Sequence, residues 1–163
     1  MKITLLFLLA VTFEAFALDE FSAEGRFAHQ APIPPSVFSD VKGESNLEDC
    51  GFSENNISKA LEATEVLIGD SNPAILVKPK SWCLCGAYYC PIWLYQLNNK
   101  SATRIWSTPG TSGIDILDHK TQGYRDIKES GGTAGHSYYR IWVWNGMKYK
   151  VRKEKYTTAG DVK

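Results

Sequence analysis

The chain has 163 residues, with 18 Lys plus Arg balanced by 18 Asp plus Glu, a length that suits one domain. Hydrophobic residues make up 44% and aromatics 12%, which excludes wholesale disorder. A formal charge of zero argues against a dedicated nucleic-acid binder, which would normally be basic.

Residues 1–17 read as a secretory signal peptide. Lys2 is followed by an apolar run from Ile3 to Phe13, and Ala15 and Ala17 supply the small residues that a signal peptidase reads. The run is shorter than the ~20 residues of a spanning helix, and no later segment is apolar enough to cross a bilayer. The expected location is the periplasm or the exterior. Residues 18–46 are weak in pattern. Ala31-Pro32-Ile33-Pro34-Pro35-Ser36 fits neither a helix interior nor a central strand, so an extended N-terminal arm is expected there.

Residues 47–163 are expected to form a single domain. Ser53 can cap a helix from Glu54 to about Leu67, on which Ile57, Ala60, Leu61, Thr64 and Ile68 form one stripe. Gly69-Asp70-Ser71-Asn72-Pro73 then stops it. Strands are expected at 74–78, then at 92–97 and 103–107 around the turn cluster Asn98-Asn99-Lys100-Ser101. Further strands are expected at 114–118 and 124–128. A hairpin of 138–144 with 147–153 turns on Asn145-Gly146, a strong hairpin signal. The predicted fold class is α+β, with one N-terminal helix packed on a curved antiparallel meander of about six strands. A two-residue turn would pair Trp144 with Met147, Trp142 with Tyr149 and Arg140 with Val151. That places the tryptophans toward the core; a carbohydrate-stacking platform is the other reading of this hairpin.

Four cysteines follow the signal peptide: Cys50, Cys83, Cys85 and Cys90. An even count in a secreted chain reads as two disulfides. One intervening residue would strain Cys83–Cys85. The favoured pairing is Cys85–Cys90 with Cys50–Cys83, and the swap is second. The C-x-C-x4-C spacing fits zinc poorly, so no metal is expected, and no cofactor motif is present.

Candidate chemistry is sparse. There is no G-x-S-x-G, and cysteines held as disulfides offer no thiolate. The Gly131–Gly135 stretch lacks the Gly-Lys-Ser/Thr of a P-loop, and is expected to be a flexible loop. Asp115, Asp118 and His119 lie close in sequence. They define the enzymatic alternative, a small envelope hydrolase. Charge is segregated: residues 18–76 hold three basic and eleven acidic residues, a net of −8, and residues 140–155 hold six basic and one acidic, a net of +5. The acidic half suits a basic protein partner; the basic hairpin either meets an anionic polymer or pairs with the acidic half. The most distinctive segment runs from Trp82 to Trp93. A Cys85–Cys90 bridge would pin Gly86, Ala87, Tyr88 and Tyr89 in a tight binding loop, with the tyrosines as contact residues.

Cys85-x4-Cys90 leads into a strand, an Asn-containing turn and a second strand ending in Trp106-Ser107-Thr108. Over residues 83–108 this resembles the periplasmic vertebrate-lysozyme-inhibitor family. The resemblance implies an α+β protein that blocks a cell-wall hydrolase with a disulfide-bounded loop. That family's loop carries a histidine, which this one lacks. Cys85-Gly86, Cys90-Pro91 and Trp93, with Gly123-Tyr124-Arg125-Asp126-Ile127 and Trp144-Asn145-Gly146-x-x-Tyr149, also look like a set of uncharacterised secreted bacterial proteins; that likeness implies no activity. The expected function is a secreted or periplasmic, non-enzymatic binding protein: an inhibitor of a cell-wall hydrolase, or an immunity protein against a toxin of that kind. A carbohydrate-binding or structural module is a further alternative.

Overall fold

A computed structural model describes residues 19–44, 47–53, 55–86, 89–98 and 101–158. The expected signal peptide lies outside the described residues.

The fold is built almost wholly from antiparallel strands. The elements are β1 (Asp19–Ser22), α1 (Pro35–Lys42), α2 (Ile57–Ala60), β2 (Leu61–Leu67), β3 (Pro73–Pro79), β4 (Cys90–Asn98), β5 (Ser101–Thr111), β6 (Gly113–Thr121), β7 (Tyr124–Thr133), β8 (His136–Trp144) and β9 (Tyr149–Thr158). They form a four-stranded sheet, β2-β3-β4-β5, and a five-stranded sheet, β1-β6-β7-β8-β9. Only Ser112 separates β5 from β6, so the chain turns from one sheet into the other there. A bridge between Gly69 and Tyr124 joins the sheets elsewhere.

This corrects the α+β expectation. The helix expected over 54–67 reduces to the single turn of α2, and Leu61–Leu67 is strand β2. A stripe at three- and four-residue steps can also be read by alternation. Leu61 and Ala63 face one core and Val66 and Ile68 the other. β3 lies alongside in unbroken register, from Leu61 opposite Pro79 to Leu67 opposite Pro73. Full ladder pairing with burial on both faces overrides the helical period. The eight-residue helix α1 lies instead in the segment expected as an extended arm. Pro35 occupies its first turn, where the missing N–H has no helical partner to lose.

The four-stranded sheet is covered on both faces. On one side Ile75, Val77, Trp93 and Tyr95 pack under Val37 and Val41 of α1, and the Tyr95 hydroxyl donates to Asp40 at 2.6 Å. On the other, Leu76, Ile92, Leu94 and Trp106 meet Ile114, Ile116, Ile127 and Trp144 of the five-stranded sheet. Trp142 packs against this same core, so both tryptophans of the last hairpin turn inward.

The expected register of that hairpin changes. Trp144 pairs with Tyr149, and Trp142 with Val151. The Asn145 side chain accepts from the N–H groups of Met147 and Lys148 at 3.0 and 2.9 Å. Residues 145–148 therefore form the loop, and Met147 is expelled to 78% exposure. A slip of two residues preserves which face each side chain takes. Two-residue turns occur in the two preceding hairpins instead: in that of β6 and β7, Gln122 and Gly123 both have positive φ, at 53° and 81°, as a type I′ turn demands. Gly131–Thr133 is part of β7, and the turn behind it is Ala134-Gly135.

Candidate functional site

The segment between β3 and β4 contributes one cysteine to each bridge, Cys83 and Cys85. Cys50 pairs with Cys83 and Cys85 with Cys90, the favoured pairing. Ser81 accepts the Cys83 N–H at 3.3 Å and starts a 3-10 turn over Trp82–Leu84. The loop closed by Cys85–Cys90 is pinched at its base by the Gly86 N–H donating to the Tyr89 carbonyl at 2.7 Å. Ala87 and Tyr88 lie outside the described residues. Tyr89 is half-buried and rests on β5 at Gly110. A Cβ on that glycine would stand 2.9 Å from the Tyr89 Cβ, so glycine is what admits the tyrosine.

Beside this loop is a cavity of about 560 Å³, bordered by Leu84, Gly86, Pro91, Trp93, Thr108 and Pro109, with Glu44 at its edge. Glu44 accepts from Arg104 at 2.5 Å and from the Trp93 indole N–H at 3.4 Å. The Arg104 hydrogen bond holds the Glu44 carboxyl below its ordinary range, against partial desolvation. The wall thus combines aromatic and proline carbon with hydroxyls and one carboxylate. Among the described residues no histidine, lysine or free thiol lines the cavity.

Asp115, Asp118 and His119 are not brought together. Asp115 pairs with Lys128 at 2.8 Å and Asp118 with Arg125 at 3.3 Å. His119 meets Asp126, Nδ1 to Oδ2, at 2.8 Å. Asp126 is fully buried, also receives Arg152 at 3.4 Å, and has its other oxygen without a hydrogen-bond partner. The Asp126–His119 pair was legible in principle. A two-residue turn at Gln122-Gly123 sets Lys120 opposite Arg125, and the next step brings 119 to 126.

A second buried carboxylate was not anticipated. Glu129 projects into the space between the sheets with no exposure. It accepts from the Thr108 hydroxyl at 2.7 Å, the Trp142 indole N–H at 2.8 Å and the Tyr138 hydroxyl at 3.4 Å. Arg140 stands 3.7 Å away. Burial, then the Glu129 charge, push the Tyr138 phenol up to about 12. Thr108 also borders the cavity, so this network braces the cavity wall from behind.

The two disulfides place the chain in an oxidising, extracytoplasmic compartment. Among the described residues no helix is long and apolar enough to cross a membrane, and no group of three or more His, Cys, Asp or Glu could hold a metal ion. Comparison with protein-family models, curated proteins and solved structures returned no match.

Proposed function

We propose that this is an extracytoplasmic, non-catalytic binding protein that inhibits a lysozyme-like cell-wall hydrolase, or gives immunity against one, through residues 86–89 and the cavity beside them. The observation that carries this reading is the Cys85–Cys90 loop, closed at its base by the Gly86–Tyr89 hydrogen bond and set against the cavity of about 560 Å³. A bridged loop has little conformational freedom left to lose on docking. Glu44 at the cavity edge suits a cationic group of the partner, with Trp93 and the prolines against its carbon stem. The resemblance over residues 83–108 supports the same use of the loop, and the acidic N-terminal half suits a basic partner.

Clearing of a peptidoglycan suspension by a panel of lysozymes, with and without the protein, tests the reading. Protection is expected for at least one lysozyme. Clearing by the protein alone would overturn it in favour of a hydrolase.

A further inference from the structure

The end of the five-stranded sheet presents a second interaction surface. β9 is its last strand and pairs only with β8. It runs ten residues, and Lys150 through Lys155 are all exposed. The two margins of the four-stranded sheet are partly covered. The Ala31 N–H donates to Ala63 of β2, and Ser36 accepts the Ala102 N–H of β5. No backbone hydrogen bond beyond those to β8 reaches residues 150–156 among the described residues.

The cations of β9 gather on the face turned away from the sandwich core. Val151 pairs with inward-facing Trp142 and Lys153 with Ile141, so Arg152 is the extra residue of a bulge. The buried Asp126 draws Arg152 to the outer face. Lys153 lies there too, 5.7 Å from the Tyr139 ring centre, and so does Lys150, opposite Val143. Glu154, the one carboxylate of β9, is held by Arg140 and Tyr156 instead. Lys150, Lys153 and Lys155 have no ion-pair partner among the described residues. The acidic half does not neutralise them: its carboxylates Glu62, Asp40, Glu44 and Asp19 pair with Arg26, Lys78, Arg104 and Arg125.

We propose that β9 is the docking edge for an extended acidic polypeptide segment, which adds to the sheet as a further antiparallel or parallel strand. The free main-chain groups of the edge select a peptide over other polyanions. The outer-face cations select acidic side chains at every second position, which an added strand projects onto one face about 7 Å apart. A second copy of β9 is disfavoured, because it would bring the same cations against one another.

The probe is a short synthetic peptide with glutamate at alternate positions and threonine or valine between, measured by calorimetry at low salt. Two versions carry backbone N-methyl groups on either the odd or the even residues. Only alternate N–H groups of an added strand face the sheet, so one version is expected to lose about ten-fold or more in affinity and the other to keep most of it. Lys150→Glu with Lys155→Glu is expected to weaken the unmodified peptide by a similar factor, with an unchanged melting temperature. Equal binding of both methylated peptides, or equal affinity for heparin, would reduce the surface to unspecific charge attraction and overturn the proposal. A concentration-dependent dimer that excludes the peptide would overturn it in favour of a second copy.

Discussion

Glu129 offers the sharpest perturbation of the sandwich. Its carboxylate is fully buried and receives Thr108, Trp142 and Tyr138, with Arg140 alongside. Hydrogen bonds to a charged acceptor contribute roughly 1.5–3 kcal/mol each when broken singly. They do not add, because one substitution removes a shared partner. Glu129→Ala leaves the Trp142 N–H and the Thr108 hydroxyl facing a void, and Arg140 without its inner carboxylate, while the Tyr138 hydroxyl keeps the Gly110 carbonyl at 3.2 Å. Loss of one partner from a buried charged pair costs about 3–5 kcal/mol, the figure expected here. Glu129→Gln keeps one acceptor oxygen and the volume but introduces an N–H2 among donors; about 1–2 kcal/mol is expected. Trp142→Phe, which removes one donor and leaves the acid its other partners, should fall in the same smaller range. Urea unfolding of the oxidised protein, followed by circular dichroism, gives the ranking at constant m-value. A loss below about 1 kcal/mol for Glu129→Ala would mean that the acid is hydrated or absent from the core, and would refute the reasoning.

Lys78→Met should cost about 3–5 kcal/mol, because it strands the buried Glu62 carboxylate; Lys78 also donates to the carbonyls of Ser22, Ala23 and Gly25. Hydrogen exchange in β1 should quicken in that variant, and adding Glu62→Leu should restore part of the stability. Alkaline stability should carry the Tyr138 signature. A phenol raised above its ordinary value of 10 contributes in full below pH 10, and the contribution is lost as pH rises toward about 12. Tyr138→Phe should flatten that limb of the urea midpoint against pH. Opening Cys85–Cys90 by a double serine substitution should cost roughly 2 kcal/mol and opening Cys50–Cys83 nearly 4, since their sequence separations are 5 and 33; melts of the two variants rank them.

The strands from β3 to β9 were legible because each carries β-branched or aromatic residues between turn signals. Residues 54–67 misled because Ile57, Ala60, Leu61, Thr64 and Ile68 satisfy a helical period, while the strand they enter turns Leu61 and Ala63 to one core and Val66 and Ile68 to the other. A sheet buried on both faces removes the contrast that normally separates strand from helix. Pro34-Pro35 looked hostile to helix but supplied its first turn. For the disulfides, strain set aside Cys83–Cys85 and left two pairings, of which the favoured one is present. Glu129 was invisible for a different reason. Its partners come from β5 and β8, and no local pattern signals a buried acid without the register of three strands. Asp115, Asp118 and His119 looked like a cluster only in sequence; pairing across the β6–β7 hairpin gives each its own partner.

The central claim is that the Cys85–Cys90 loop makes the partner contact. Its most direct test is the affinity of a vertebrate lysozyme, or another lysozyme protected in the clearing assay, for the wild type and for Tyr88→Ala, with thermal melts run in parallel. The expected result is a loss of more than ~2 kcal/mol in binding, the scale of a hot spot, at an unchanged melting temperature. Full binding by the folded variant, and equally by a Glu44→Gln variant at the cavity edge, would contradict the claim and remove this face from the mechanism.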